Sequence, residues 1–390
     1  MPKRKIAILI NTLAGGGAER TVTHLLRNLR DDYEVHLVLF SDVIEYELPK
    51  DQIVTFLDNE NPSQSNVVNI LKIPKLSRRL VKYCRNNNID LIISFLNRPN
   101  FVACLAKKLG LKAKLLISER TYTPLYYRND NASGVIGKWL ISTLYPLADA
   151  ILPNSRGTMS ALQKQFRVNN NYTLVRNLLD LGDIENKMTE VVDDVRFDKF
   201  TFVHVGSFSY MKGHRMLVEA FAKLKFNKDA QLLLIGTGPL LKELNELVTS
   251  LKLQDQVVFL GHKSNPFKYM ARSDCFVFAS EFEGFPNVLL EALACGLPVI
   301  STDCLTGPRE LLMPTEVASS KHDSVIEFGR NGVLVPVGNI QAMSESMCEM
   351  MTNDEMRIAY KEIASIKARE FDQTIISEEF RQIINDHLSC

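Results

Sequence analysis

The sequence predicts an α/β protein made of two doubly wound parallel-sheet domains, on three observations. The chain has 390 residues, more than one hydrophobic core usually organises and comfortable for two. Short β-branched runs alternate with longer stretches of helical periodicity, the pattern of a parallel sheet covered on both faces. That rhythm lapses between Leu178 and Lys199 and then restarts.

Taken in order, the strand-like runs of the first half are Lys5–Ile10, Val35–Phe40, Leu91–Phe95, Lys114–Ser118 and Ala150–Pro153. The opening MPKRKIAILINTL has basic residues before a short apolar stretch that runs into glycines, so it reads as a first strand and not as a signal sequence. Residues 178–199 are rich in Asp and Glu and read as a linker. The pattern resumes with Phe200–Val205, Leu232–Ile235, Val257–Leu260, Cys275–Ala279 and Val299–Ser301. The expected division is thus 1–177, a linker 178–199, a second domain 200–365, and a helical end 366–390 that either packs back on the first domain or merely caps the second. Open α/β sheets bind ligands beyond the carboxyl ends of their strands. Two such domains facing a central cleft would put the chemistry in their loops.

Composition narrows the function classes. Lys plus Arg number 46 against 45 Asp plus Glu, so no global field marks a nucleic-acid binder. The seven cysteines include no CxxC pair, and Cys84, Cys104, Cys275 and Cys295 sit in apolar runs, which reads as reduced, buried thiols in a cytoplasmic protein. No apolar run approaches the ~18 residues of a membrane span, so any membrane contact is peripheral.

Three motifs are suited to chemistry. Gly15-Gly16-Gly17-Ala18-Glu19-Arg20 joins the first strand to a helix, where glycines let amides approach an anion at a helix N-terminus. Arg20 stands where a G-x-G-x-x-G fingerprint needs glycine, so a nicotinamide site using Asp42 is a weak match and a ligand-free tight turn is the plain alternative. Gly206-Ser207-Phe208-Ser209-Tyr210-Met211-Lys212-Gly213-His214 opens the second domain, and a lysine beside a helix N-terminus can hold a pyrophosphate. A solvated lysine is the other reading.

The third motif is the most specific. Glu281 to Ala292 reads EFEGFPNVLLEA, a turn leading into a helix that starts near Pro286, where proline costs no hydrogen bond. Glu291 falls inside an otherwise apolar helix, which is costly unless the carboxylate is hydrogen-bonded. The hydroxyls of a ribose would satisfy it, as would backbone amides or an arginine.

The run Glu283 to Glu291 (E-G-F-P-x-x-x-x-E), with Lys212-Gly213, the GGAER turn and Thr306-Gly307-Pro308-Arg309-Glu310, resembles family four of the retaining glycosyltransferases over essentially the whole chain. The resemblance implies the GT-B fold of two Rossmann-like domains and transfer of a hexose or N-acetylhexosamine from a nucleotide sugar, UDP by analogy with bacterial polysaccharide enzymes. It implies that Glu291 binds the donor ribose, Glu283 the donor sugar hydroxyls, and Lys212 the pyrophosphate. It also sets the amides of Gly284, Phe285, Asn287 and Val288 against sugar and phosphates, Gly16-Gly17 over them from the first domain, and the base near Gly261-His262-Lys263. Asn177 resembles the family's interdomain crossover motif. Two departures stand out. Ser207 replaces an arginine, leaving phosphate charge to Lys212 with Arg309 or Arg120 as substitutes, and Arg120 follows Glu119 where relatives carry histidine. Glu119 and Arg120, neighbours at a strand end, point to opposite faces and are carried as catalytic candidates. No metal and no cofactor are implied beyond the donor itself.

From Pro74 to Arg85 the chain predicts a helix with Lys75, Arg78, Arg79, Lys82 and Arg85 on one arc and Leu76, Leu80, Tyr83 and Cys84 on the other. Lys75, Arg79 and Lys82 are candidates for gripping a glycan or polyprenyl-pyrophosphate acceptor at the cytoplasmic membrane surface. A solvated helix face is the alternative. The rival activities are a sugar-nucleotide epimerase, a glycan phosphorylase, a nicotinamide-dependent dehydrogenase and a non-catalytic scaffold.

Overall fold

The structure is a computed structural model that describes residues 2–58, 66–127, 132–224, 227–313 and 325–389. The chain forms two compact units, Met1–Leu178 with Gln373–Cys390, and Leu179–Asp372. The first holds a six-stranded parallel sheet of β1 (Arg4–Ile10), β2 (Tyr33–Leu39), β3 (Ile53–Phe56), β4 (Leu91–Phe95), β5 (Lys114–Glu119) and β6 (Ala150–Pro153), in the order β3-β2-β1-β4-β5-β6. Ile6 to Ile10 are wholly buried, as an unbroken apolar strand covered on both faces must be. Its register pairs Ile6 with Val35 on one side and Leu91 on the other. The order reverses between β1 and β4, where such sheets open a crevice.

The second unit has seven strands: β7 (Phe200–Val205), β8 (Ala230–Ile235), β9 (Val257–Gly261), β10 (Cys275–Phe278), β11 (Val299–Thr302), β12 (Glu327–Phe328) and β13 (Val333–Val335). Their order is β12-β13-β11-β10-β7-β8-β9, parallel except for β12. Here the reversal lies between β7 and β10. The strands β3, β12 and β13 had no expectation attached: β3 is half exposed, and the other two are too short for a period-2 signal.

The expected linker is instead folded. Residues 181–188 form a helix capped by Asp180, whose Oδ1 accepts from the Asp183 amide at 3.0 Å, and Ile184 is buried in the second core. Val192, Val195 and Phe197 pack partly against that core, and the acidic run is engaged, Asp194 pairing with Lys263 at 2.7 Å. A few apolar residues at irregular spacing suffice to anchor a segment whose charges face outward.

The helical end divides in two. The helix Asp354–Arg369, capped by Asn353, buries Ala364 and Ala368 in the second unit. After Phe371 and Asp372 the helix Gln373–Ser389 joins the first unit, where Ile376, Phe380 and Ile384 share a core with Val22, Leu25 and Leu26 of the helix Gly17–Asn28. Gln373 bonds His24 at 3.0 Å and Ser377 accepts from Asn28 at 2.9 Å.

Candidate active site

In the second unit the loops after β7 and β10 emerge side by side at the reversal point and bring Lys212 and Glu283 together. The β7 loop ends in a short 3-10 turn, Tyr210–Lys212, and the β10 loop carries Glu283. Lys212 Nζ donates to Glu283 Oε1 at 2.5 Å. Gly213 follows Lys212 with φ +66° and begins the helix His214–Ala222. A Cβ there would lie 2.0 Å from the carbonyl oxygen of Ala279, so only glycine lets the lysine turn sit against the β10 loop.

The helix Asn287–Ala294 starts immediately beyond this pair. The start of a helix favours an anion, although here the Leu289 amide is bonded to the Pro286 carbonyl at 3.1 Å. Glu291 lies on its buried side, 6% exposed. The loop after β11 closes the turn from behind: Thr306 Oγ1 donates to the Glu283 carbonyl, and Gly307, at φ +92°, packs on Pro286 where a Cβ would come within 2.3 Å of Cδ. Below Lys212 lie two buried histidines, His204 and His214, their rings edge to face at 4.6 Å. His204 Nδ1 donates to the Val277 carbonyl at 2.8 Å, while its Nε2 and both nitrogens of His214 have no partner among the described residues. Burial, with Lys212 close by, lowers His204 to about 4 and His214 to about 2, so both rings are neutral.

In the first unit a cavity of about 690 Å³ occupies the crevice beside β1 and β4. Asn11 and Thr12 line it from the loop after β1, Leu96, Asn97 and Arg98 from the loop after β4, and Thr121 from beyond β5. Leu96 takes φ 74° and ψ 158°, a conformation that side chains rarely adopt, and strain of this kind collects at binding sites. Asn11 Oδ1 and Asn97 Nδ2, an acceptor and a donor, are buried without partners among the described residues. The wall therefore offers complementary groups to a polar ligand.

Models of two families match the chain: Glycosyltransferase Family 4 over residues 15–183 and Glycosyl transferases group 1 over residues 191–366. An N-acetylgalactosamine-N,N'-diacetylbacillosaminyl-diphospho-undecaprenol 4-alpha-N-acetylgalactosaminyltransferase of Campylobacter jejuni is 40% identical over 377 residues, 96% of this chain and 98% of that protein. The chain belongs to the group 1, family 4 glycosyltransferases. A second Campylobacter jejuni protein, an α-1,4-N-acetyl-D-galactosaminyltransferase named for a GalNAc-containing undecaprenol-diphosphate substrate, is 28% identical over 387 residues, 97% of this chain and 98% of its own. Among solved structures, Anabaena HepE in complex with UDP superposes at a TM-score of 0.76 with 20% identity, covering 98% of this chain and 100% of that one. Sucrose-phosphate synthase of Thermosynechococcus elongatus reaches 0.80 with 18% identity, covering 99% and 100%. These likenesses show the GT-B fold.

Set against this glycosyltransferase's expected site, the structure joins Lys212 to Glu283 and sets Glu291 one helix away, while several other candidates are otherwise engaged. Glu119 is wholly buried: Oε1 accepts from the Thr121 amide at 3.0 Å and hydroxyl at 2.6 Å, and Oε2 from the Tyr145 hydroxyl at 2.7 Å. Burial raises its carboxyl above the ordinary range, outweighing those hydrogen bonds. It supports Thr121 on the cavity wall from behind and is not itself presented to a ligand. Arg120 is also buried, donating to Ser118 Oγ and Asn177 Oδ1, each at 2.7 Å, and burial pulls its pKa down to about 10. It ties β5 to the crossover residue Asn177.

Arg309, the other candidate to replace the arginine missing at Ser207, is held by two carboxylates. Its guanidinium lies against Asp303 at 2.6 Å and Glu327 at 2.5 Å, and although burial opposes it, these two carboxylates push its pKa up. Ser207 is exposed, as is His262. The Lys263 ammonium turns to Asp194, whose hydrogen bond raises its pKa, and lies 5.6 Å from the Tyr269 ring centroid. The Phe285 side chain enters the core against Phe371 at 6.1 Å, leaving only its backbone for a ligand. Two carboxylates lie close to the glycine turn: the Gly15 amide donates to Glu45 Oε2 at 2.9 Å, and a Cβ on Gly16 would meet the Glu19 carboxylate at 2.2 Å. Burial raises the Glu19 pKa.

Lys75, Arg79 and Lys82 lie on the helix Ile73–Asn87, exposed, opposite buried Leu76, Leu80 and Cys84. Arg79 also pairs with Asp58 at 2.9 Å. Six cysteines are free and five of them buried, burial lifting the Cys84 thiol to about 12; Cys390 lies outside the described residues. Among the described residues no helix is long and apolar enough to cross a membrane, and no three His, Cys, Asp or Glu side chains gather as a metal-ligand set. The residues that sequence reasoning missed are the cavity wall around Asn11, Asn97 and Thr121 and the buried histidine pair. Asn97-Arg98-Pro99-Asn100, polar residues directly after an apolar strand, was the available signal.

Proposed function

We propose that this glycosyltransferase moves a hexose or N-acetylhexosamine from a UDP-sugar to a lipid-linked glycan with retention at the anomeric carbon. The observation that carries it is the Lys212–Glu283 pair at the reversal point of the second sheet, with Glu291 on the next helix. A diphosphate brings the charge that Lys212 is placed to meet, aided by the amides at the start of the helix from Asn287. Glu283, displaced from Lys212, accepts hydroxyls of the donor sugar, and Glu291 accepts those of the ribose.

The acceptor hydroxyl bonds to the anomeric carbon as the bond from that carbon to the diphosphate oxygen breaks on the same face. Its proton passes to the departing phosphate oxygen. The protein's part is positioning and charge stabilisation, with no side chain attacking the sugar. The first-unit cavity is read as the acceptor-sugar site, Asn11 Oδ1 and Asn97 Nδ2, which have no partner among the described residues, taking acceptor hydroxyls or amides. The polyprenyl-linked acceptor is supported by the two Campylobacter jejuni relatives whose names carry undecaprenol-diphosphate acceptors.

The test is a panel of labelled UDP-, GDP- and dTDP-sugars offered with extracted polyprenyl-diphosphate-linked glycans, the anomeric configuration of the product read by NMR. The reading predicts transfer from one UDP-sugar, and Glu291→Gln should raise the donor KM by ~10–100-fold, the value of a buried hydrogen bond to a charged group. Epimerised nucleotide sugar without acceptor, or an inverted product, would overturn it.

A further inference from the structure

Two short stretches border the mouth of the first-unit cavity, and both turn apolar side chains to solvent. On the helix Asn66–Leu71, Asn69 and Ile70 line the cavity while Val68 and Leu71 face out, Leu71 at 74% exposed. On the helix Ala132–Leu144, Gly134, Gly137 and Leu140 line it while Val135, Ile136 and Trp139 face out, Trp139 at 63%. Tyr126, also exposed, stands beside them. Scattered single apolar residues are ordinary on a surface, but six flanking one opening are an interaction surface.

The charges around this ridge identify its partner. From Asn66 to Ile89 the chain carries six Lys and Arg and no Asp or Glu, and Ala132 to Ala148 carries Lys138 and no acid, in a protein whose overall charges balance at 46 to 45. Lys75 and Arg78 are exposed on the helix that follows Leu71 directly. Apolar side chains that include a tryptophan and a tyrosine, with lysines and arginines beside them that Asp58, paired with Lys72 and Arg79, offsets only in part, match the boundary of an anionic bilayer. A protein partner would be met by a polar rim of both signs.

We infer that Val68, Leu71, Tyr126, Val135, Ile136 and Trp139 form a surface that docks the first unit on an anionic lipid bilayer, with the cavity mouth among the headgroups. Its purpose rests on the lipid-linked reading of the acceptor, since a sugar carried on a membrane lipid would then reach the cavity without leaving the interface. The surface is distinct from the basic arc: the arginines and lysines attract the bilayer, while the ridge inserts.

Trp139 is the single tryptophan of the chain, so its fluorescence reports on the ridge directly. With vesicles of phosphatidylethanolamine and phosphatidylglycerol, the full-length protein is expected to float, its emission to shift to shorter wavelength, and brominated acyl chains to quench it. Trp139→Glu combined with Leu71→Glu should lower partition by more than ~tenfold while leaving UDP binding and the melting temperature in place. Unchanged Trp139 emission on adding vesicles, or flotation of the double variant equal to the parent, would overturn the inference. So would a blue shift that grows with protein concentration without vesicles and doubles the mass in light scattering, since the ridge would then bind a second copy. Transfer to detergent-dispersed lipid-linked acceptor without vesicle binding sinks only the docking surface. Vesicle binding without transfer sinks only the proposed activity.

Discussion

Lys212 Nζ stands 2.5 Å from Glu283 Oε1, each partly screened from solvent, so the two charges of the candidate donor site balance each other. A donor diphosphate competes with Glu283 for the lysine. Removing the lysine and removing the carboxylate charge therefore have opposite effects on nucleotide binding. Lys212→Ala should weaken UDP binding and lower kcat/KM by ~100–1,000-fold, the cost of losing one charge-stabilising donor. Glu283→Gln should bind UDP as tightly as the parent or more tightly while losing transfer by a similar factor, because the lysine is released but the sugar loses its acceptor. Calorimetry with UDP, set beside initial rates, separates the two. Equal losses of UDP affinity in both variants would show that the pair acts as a structural tie.

Arg309 provides a contrast. In the motif Thr306 to Glu310 it has the form of a phosphate ligand, yet its guanidinium is held between Asp303 and Glu327. Arg309→Met leaves two carboxylates facing each other with their common counter-ion gone, and the expected cost is about 3 kcal/mol of stability. Thermal melting should fall while the donor KM of the folded fraction stays within about threefold, less than one tenfold step in free energy. A donor KM raised a hundredfold without a change in melting would return Arg309 to the phosphate site.

Most of the architecture was legible because parallel strands buried on both faces write themselves as unbroken apolar runs. Leu91–Phe95, Ala150–Pro153 and Phe200–Val205 are found with the expected bounds. What escaped were elements whose signal is tertiary. β3 is an edge strand with half its residues exposed, and the helix Leu181–Met188 is fixed by Asp180, Ile184 and neighbours from distant loops. The same holds in the candidate site. Lys212, Glu283 and Glu291 carry local oddities, a charge beside glycine or inside an apolar helix, that a sequence displays. That Glu119 would be spent on Thr121 and Tyr145, and Arg309 on Asp303 and Glu327, depends on partners up to 26 residues away in the chain.

The histidine pair beneath Lys212 makes the second unit acid-sensitive. His204 and His214 are buried and neutral, with pKa values near 4 and near 2 in place of the ordinary 6.5. Because the folded values are depressed, the unfolded chain binds more protons as pH falls below 6.5, and stability present above that pH is lost on the way down. For His204 alone, holding the ring neutral to about 4 is worth roughly 3 kcal/mol across that interval. Denaturant melts of the parent should lose stability between pH 6.5 and 4. His204→Asn with His214→Phe should flatten that dependence, whatever its stability at neutral pH. An equally steep slope in the double variant would place the acid sensitivity elsewhere.

On the basic helix Ile73–Asn87, Arg79 is tied, while Lys75 and Lys82 form no hydrogen bond or ion pair among the described residues. Arg79 bonds the Leu57 carbonyl and Asp58, so its reversal would damage the fold as well as any acceptor contact. Lys75 and Lys82 are exposed on the same arc, and reversing these two tests recognition with less structural cost. Lys75→Glu with Lys82→Glu should raise the KM for a polyprenyl-diphosphate-linked acceptor by ~10-fold or more at low salt, since each reversal turns an attraction of up to about 1 kcal/mol near an anionic surface into a repulsion. The donor KM and UDP affinity should be unchanged. Raising ionic strength should shrink the difference between parent and variant, because exposed charges beyond ~10 Å are screened at ordinary salt. If acceptor KM is the same in both proteins at low salt, the arc is a solvated helix face, and acceptor binding rests on the cavity wall of Asn11, Asn97 and Thr121.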